Sequence, residues 1–279
     1  MLNGNPSSRQ WKKNMRTQTV AGIELAFVDR GDGPAVVLVH GFPLDHTMWE
    51  AQIDPLAQNH RAIVPDLRGF GRSGVTEGVV TIERFADDLA ALLDGLNVSQ
   101  PVVLCGLSMG GYILFQFWRK YSDRVRALML CDTRAVTDTP QMAADRLKMA
   151  DRIVREGPEP LIDGMMPKLL AEETIRRRPE LAESLRRVMA SHDRQGIAAA
   201  GRGMAERPDV TSMLGRIDCP TLVVVGQYDA ISTPDEMRSI AQAIPGSQLV
   251  EIAGSGHMSP MEQPAEFNAA MLEFLAALP

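Results

Sequence analysis

Several short runs in this chain are apolar at every position. Ala35-Val36-Val37-Leu38-Val39 and Leu222-Val223-Val224-Val225 have no polar residue on either alternating set. A strand with both faces apolar must be covered on both faces, which is the situation of a parallel sheet between two helical layers. Runs at 62–65 and 101–105 are also apolar throughout, those at 125–130 and 247–252 are strand-like with some polar positions, and 20–28 reads as one strand or as two joined at Gly22. Helix-like stretches separate them at 81–96, 109–121, 234–244 and 264–277. In the third of these, Thr233-Pro234-Asp235-Glu236 is a helix start, with Thr233 as cap, Pro234 in the first turn and Glu236 closing a capping box. The alternation predicts an α/β fold with a mostly parallel sheet.

Residues 134–213 break this alternation. They hold no strand-like run and many helix formers, with seven methionines and no Phe, Tyr or Trp. They read as a helical insertion between two strands. Residues 17–133 and 214–279 then form the core, and 1–16 a polar N-terminal extension, expected to be mobile. The chain of 279 residues carries a net charge of −6, so nothing in its charge draws it to nucleic acid or to anionic lipid. No apolar run has the length of a membrane span. The three cysteines, Cys105, Cys131 and Cys219, lack metal-ligand spacing and are expected to be buried free thiols. With no apolar core of signal-peptide length at the start, a cytoplasmic location is expected.

Gly106-Leu107-Ser108-Met109-Gly110-Gly111 follows one strand and opens a helical pattern. This is G-x-S-x-G in strand–turn–helix context. A nucleophile on so sharp a turn needs small neighbours, and Gly106 and Gly110 supply them. The new helix aims its free N–H groups at the reacting atom. A serine hydroxyl needs a base. Of the five histidines, His257 lies in a glycine-flanked loop at the carboxyl end of the last strand, the sheet edge that also carries Ser108. The base needs an acid. Asp229, after the strand at 221–225, is favoured, and Asp132, after 125–130, is the competitor. For the oxyanion, a backbone N–H after the strand at 35–39, best assigned to Phe42, can pair with that of Met109. Gly41 permits close approach there, and His40 is expected to order this loop rather than act as a base.

The motifs at 40–43, 66–73, 106–111, 226–229 and 254–258, in the order Ser, Asp, His, resemble those of the α/β-hydrolase family, and the resemblance runs over about residues 20–278. It implies an eight-stranded, mostly parallel sheet flanked by helices, with a helical cap after the sixth strand, here 134–213. It implies Ser108, Asp229 and His257 as nucleophile, acid and base. Family branches that use an Asp nucleophile are disfavoured by Ser108. The leading expectation is an esterase that cleaves small to medium acyl esters through an acyl-enzyme, with no metal or organic cofactor and a small-molecule ester or lactone as its partner. An enol-lactonase or carbon–carbon bond hydrolase with the same triad is the alternative, and Arg134 would then contact the substrate anion. A non-catalytic ligand-binding protein on the same scaffold is the third reading. The sequence leaves the oligomeric state open.

Overall fold

A computed structural model of the chain describes residues 15–279. The expected extension at 1–16 lies outside the described residues up to position 14. At its end Met15 packs against the core, and Arg16 already belongs to the first strand.

The strands are β1 (Arg16–Val20), β2 (Ile23–Arg30), β3 (Ala35–Val39), β4 (Arg61–Pro65), β5 (Val102–Leu107), β6 (Val125–Cys131), β7 (Thr221–Gly226) and β8 (Gln248–Ile252). The stretch at 20–28 is therefore part of two strands, parted by Ala21 and Gly22, both at positive φ. One eight-stranded sheet results, in the order β1-β2-β4-β3-β5-β6-β7-β8. The pairings β1–β2 and β2–β4 are antiparallel, and all others are parallel.

Both faces of the central strands are covered. Val37 and Val39 of β3 enter one apolar cluster, while Val36 and Leu38 enter another on the opposite face. The first cluster takes in α2 (Ile82–Gly95), α3 (Met109–Tyr121) and α9 (Pro234–Ala243). The second takes in α1 (Glu50–Leu56) and α11 (Pro264–Ala276). Helix α9 begins with the capping box of Thr233 and Glu236.

Between β6 and β7 the described chain is helical: α4 (Pro140–Glu156), α5 (Glu159–Leu169), α6 (Glu172–Arg177), α7 (Pro179–Ser191) and α8 (Arg194–Ala205), then a 3-10 turn over Thr211–Arg216. This insertion meets the core at close range. A methyl group on Gly196 would sit 2.2 Å from the carbonyl oxygen of Gly69, so only glycine lets α8 lie against that loop. Among the described residues, no helix is long and apolar enough to cross a membrane. Cys105 and Cys131, on neighbouring strands, are buried free thiols with their sulfurs 3.8 Å apart. Cys219 is a free thiol too, but only partly buried, unlike the expectation.

Candidate active site

The chain leaves β3 toward β4 on one side of the sheet and leaves β5 toward β6 on the other. The carboxyl ends of β3 and β5 therefore flank a crevice, the usual ligand position in an open parallel sheet. Phe42 follows β3 and Ser108 follows β5.

Ser108 has φ 55° and ψ −113° at the junction with α3. A non-glycine residue with positive φ carries a cost of order 1–3 kcal/mol, held by its surroundings. Its N–H donates to the Cys131 carbonyl at 2.9 Å, and its carbonyl accepts from Thr133 Oγ1 at 2.7 Å. A methyl group on Gly106 would lie 2.6 Å from the Gly110 carbonyl carbon, and one on Gly110 would lie 2.4 Å from the Val39 carbonyl oxygen. The two glycines thus let the turn close against both the helix and β3. Gly41 faces Ser108 at 3.5 Å from where its own Cβ would be. Met109 opens α3, so its N–H is one of the free donors at a helix start.

His40 is fully buried. Its Nε2 accepts the Leu67 N–H at 2.9 Å, so the ring proton is on Nδ1, which donates to the Gly41 carbonyl at 2.9 Å. Burial lowers its pKa to about 4. Both nitrogens are occupied and the ring is neutral, so it braces the loop that carries Phe42.

His257 and Asp229 are buried together. Nδ1 of His257 is 2.8 Å from Oδ2 of Asp229, so the carboxylate receives that N–H and Nε2 is the nitrogen left as a base. The N–H groups of Ile231 and Ser232 donate to Oδ1 of Asp229 at 2.7 and 3.0 Å, which fixes the carboxylate. Asp132 lies alongside. Its Oδ1 accepts the Gly226 N–H at 2.8 Å, and its Oδ2 pairs with Ser259 Oγ at 2.5 Å. Burial, followed by the charge of Asp229, pushes the Asp132 carboxyl well above the usual carboxylate range. Every oxygen of the two carboxylates thus has a protein partner, and only Asp229 reaches the imidazole.

A cavity of about 280 Å³ is lined by Phe42 together with Met142, Arg146, Met149, Ile153 and Leu161 of the insertion. Two of the insertion's seven methionines line it; Met189, Met204 and Met213 are buried in the apolar clusters instead. Phe42 adds a ring that the insertion itself lacks. Arg134, expected as the anion contact, is held by Glu236 at 2.5 and 3.0 Å and lines a different cavity with Thr211 and Ile240. Glu236 sits in the first turn of α9, so Arg134 is tied to the core.

Sequence reasoning missed Glu262. From α10 (Ser259–Glu262) it accepts the N–H groups of Gly256 and Met258 at 2.8 and 3.2 Å, and with its other oxygen that of Ala171 at 2.8 Å. It thereby shapes the His257 loop and joins it to the insertion. His192 was also missed: its Nδ1 accepts the Gly71 N–H at 3.1 Å, and its ring meets Phe70 edge-on. The contacts that tie these residues to distant parts of the chain, to Ala171 and to Gly71, span 91 and 121 positions, and no local pattern marks them.

A family model of the alpha/beta hydrolase fold matches residues 34–264. The chain belongs to the α/β hydrolase family. Among solved structures, this hydrolase is similar to a thermophilic esterase from Thermogutta terrifontis, described as malate bound, at 50% identity and a TM-score of 0.92, over 95% of this chain and 98% of that one. It is similar to the enol-lactonase from Burkholderia xenovorans at 29% identity and a TM-score of 0.87, over 94% of this chain and 100% of that one. It is also 28% identical to 3-oxoadipate enol-lactonase 2 of Acinetobacter baylyi, over 94% of this chain and 95% of the relative. Hydrolases of this family act on small molecules.

Proposed function

We propose that this α/β hydrolase is a carboxylic-ester hydrolase working through an acyl-enzyme on Ser108. The observation that carries this reading is the strained backbone of Ser108 at the β5–α3 junction, φ 55°, on the same sheet edge as the hydrogen-bonded pair His257–Asp229. Strain of this kind is held at sites where a side chain must stand clear of the sheet.

In this reading Nε2 of His257 takes the Ser108 proton as the hydroxyl attacks the ester carbonyl. Asp229 holds the Nδ1–H tautomer and stabilises the imidazolium. The N–H groups of Phe42 and Met109 receive the oxyanion, each donor of this type contributing roughly 10²–10³ in rate. His257 returns the proton to the leaving alcohol, then activates water to release the acid. Asp229 stays ionised, and Asp132 keeps its proton as a neutral neighbour. The insertion acts as a cap over Ser108, with residues 134–213 as a unit and the remainder as core.

A lactone is an internal ester, so the same steps open an enol-lactone. The similarity to two enol-lactonases supports that second substrate class, and the 50% identical esterase supports the simple ester. The test is a panel of p-nitrophenyl esters and lactones assayed with the wild type and with Ser108→Ala. Turnover that survives in the variant at wild-type rate excludes the acyl-enzyme reading.

A further inference from the structure

On α4, Met142, Arg146, Met149 and Ile153 stand at i, i+4, i+7 and i+11, one face of a helix, and all of them line the cavity beside Phe42. Arg146 is the sole cation in that lining. Asp145 is the sole anion there; it is exposed, and its carboxylate is engaged by Gln141 Nε2 at 2.9 Å and Lys148 Nζ at 3.7 Å.

An arginine on an apolar face needs a counter-charge. Asp138 supplies part of one, accepting Nε of Arg146 at 2.5 Å. The same carboxylate also faces Arg207 at 2.9 Å, so two guanidinium groups share one buried negative charge. Arg207 is buried, and both of its Nη atoms are engaged elsewhere. Its Nη1 donates to the Met204 carbonyl and its Nη2 to the Val136 carbonyl, at 3.1 and 3.2 Å, and it lies over the Tyr112 ring. Arg146 keeps 30% of its side chain exposed. Among the described residues neither of its Nη atoms donates to an oxygen; Nη1 meets only the Met204 sulfur, at 4.0 Å. Asp209, which is exposed, also acts on Arg207, so the donors left open beside the buried carboxylate are the Nη edge of Arg146, on a largely apolar cavity where charge-assisted hydrogen bonds are strong.

We propose that Arg146 is the subsite for a carboxylate carried by the substrate, so that the preferred substrates are short esters or lactones bearing a carboxylate at the far end of the acyl chain. This rests on the ester-hydrolase reading. The apolar walls accept the methylenes, and the guanidinium edge, planar and always charged, matches a carboxylate. Because Arg146 belongs to the insertion, the bound anion also links the insertion to the core through the substrate. The anion contact lies on α4 instead of at Arg134, whose charge Glu236 already meets.

The experiment compares two acyl groups of equal length, mono-p-nitrophenyl glutarate and p-nitrophenyl valerate, in wild type, Arg146→Met and Arg146→Lys. The ratio of kcat/KM for glutarate over valerate is expected to fall at least about tenfold in Arg146→Met, through KM, and to fall less in Arg146→Lys, which keeps the charge. Using the ratio cancels any general damage to the fold. Equal factors for both substrates in Arg146→Met would overturn the subsite. Glutarate itself, titrated by calorimetry, gives a readout free of turnover: binding to the wild type that weakens in Arg146→Met supports the subsite, and unaltered affinity removes it. Glutarate binding that depends on Arg146, with neither ester cleaved, would leave the subsite standing and reject the hydrolase reading. Ester cleavage that depends on Ser108, with a ratio that does not move, would do the reverse.

Discussion

Asp132 and Asp229 lie side by side next to His257: a carboxylate oxygen of each and an imidazole nitrogen all fall within 4.8 Å of one another, yet only Asp229 is bonded to the ring. Two carboxylates this close do not ionise equally. Asp229 has three hydrogen-bond partners, His257, Ile231 and Ser232, whereas both oxygens of Asp132 are taken by Gly226 and Ser259.

The two asparagine variants should therefore differ. Asp229→Asn removes the charge that fixes the Nδ1–H tautomer, and kcat should fall by several orders of magnitude, ~10⁴ for a triad acid. Asp132→Asn should be mild, because its amide can still accept from Gly226 and donate to Ser259 as a protonated acid would. A second readout separates them. The folded chain holds the Asp132 proton to higher pH than the unfolded chain does, so this group costs stability as pH rises above the ordinary carboxylate range. Asp132→Asn should accordingly raise Tm relative to wild type at pH 8, with the gain shrinking toward pH 4. A lower Tm at pH 8 than at pH 4, relative to wild type, would count against a protonated Asp132.

Burial of His40 sets an acid limit on the fold. Its pKa drops from 6.5 to about 4, so between those values the unfolded chain binds a proton that the folded chain refuses. Stability from this group is complete above pH 6.5 and is lost as pH falls toward 4, up to about 3 kcal/mol. Burial lowers His192 in the same sense. His46 runs the other way: burial opposes its charge, but its hydrogen bond to Asp66 wins and raises its pKa. Urea unfolding at pH 7.5 and pH 5 should show lower stability at pH 5, and His40→Asn should flatten that difference while lowering stability at both. An unchanged pH dependence in His40→Asn would contradict the assignment.

Much of the fold was legible because its determinants are local. Runs such as Val36 to Val39 state their burial on both faces, and Gly106, Ser108 and Gly110 encode a turn by spacing alone. Asp229 after β7 could be favoured but not separated from Asp132, because the choice depends on which carboxylate reaches His257, and the three residues lie on loops after three different strands. The break of 20–28 into two strands stayed open because Ala21, a non-glycine residue, takes positive φ beside Gly22. The number of helices in the insertion was not legible, since only the fold shows that Pro158 and Pro179 divide them at their starts while Pro167 lies inside α5. Arg134 and Arg146 look alike in sequence. What separates them is Glu236, 102 positions from Arg134, and the face of α4 that turns toward Phe42.

The elbow glycines give a packing test. In Gly110→Ala the new methyl group would stand 2.4 Å from a backbone oxygen of β3, which has no rotamer to escape by. Overpacking of this kind costs roughly 1–3 kcal/mol, and Tm should drop by roughly 2–4 °C for each kcal/mol. Gly164→Ala is the control, because nothing lies within 4 Å of its added methyl group in α5 and alanine is the better helix former. Its Tm should hold or rise slightly. Equal melting of the two variants would remove the argument for close approach at Gly110.

The central claim is a covalent acyl group on Ser108, and direct labelling tests it most simply. The protein is treated with a fluorophosphonate, digested and read by peptide mass spectrometry, with Ser108→Ala alongside. A single adduct on the peptide containing Ser108, loss of ester turnover in step with labelling, and no adduct in the variant are expected. Stoichiometric labelling at another residue with turnover lost, or full turnover by Ser108→Ala, would contradict it.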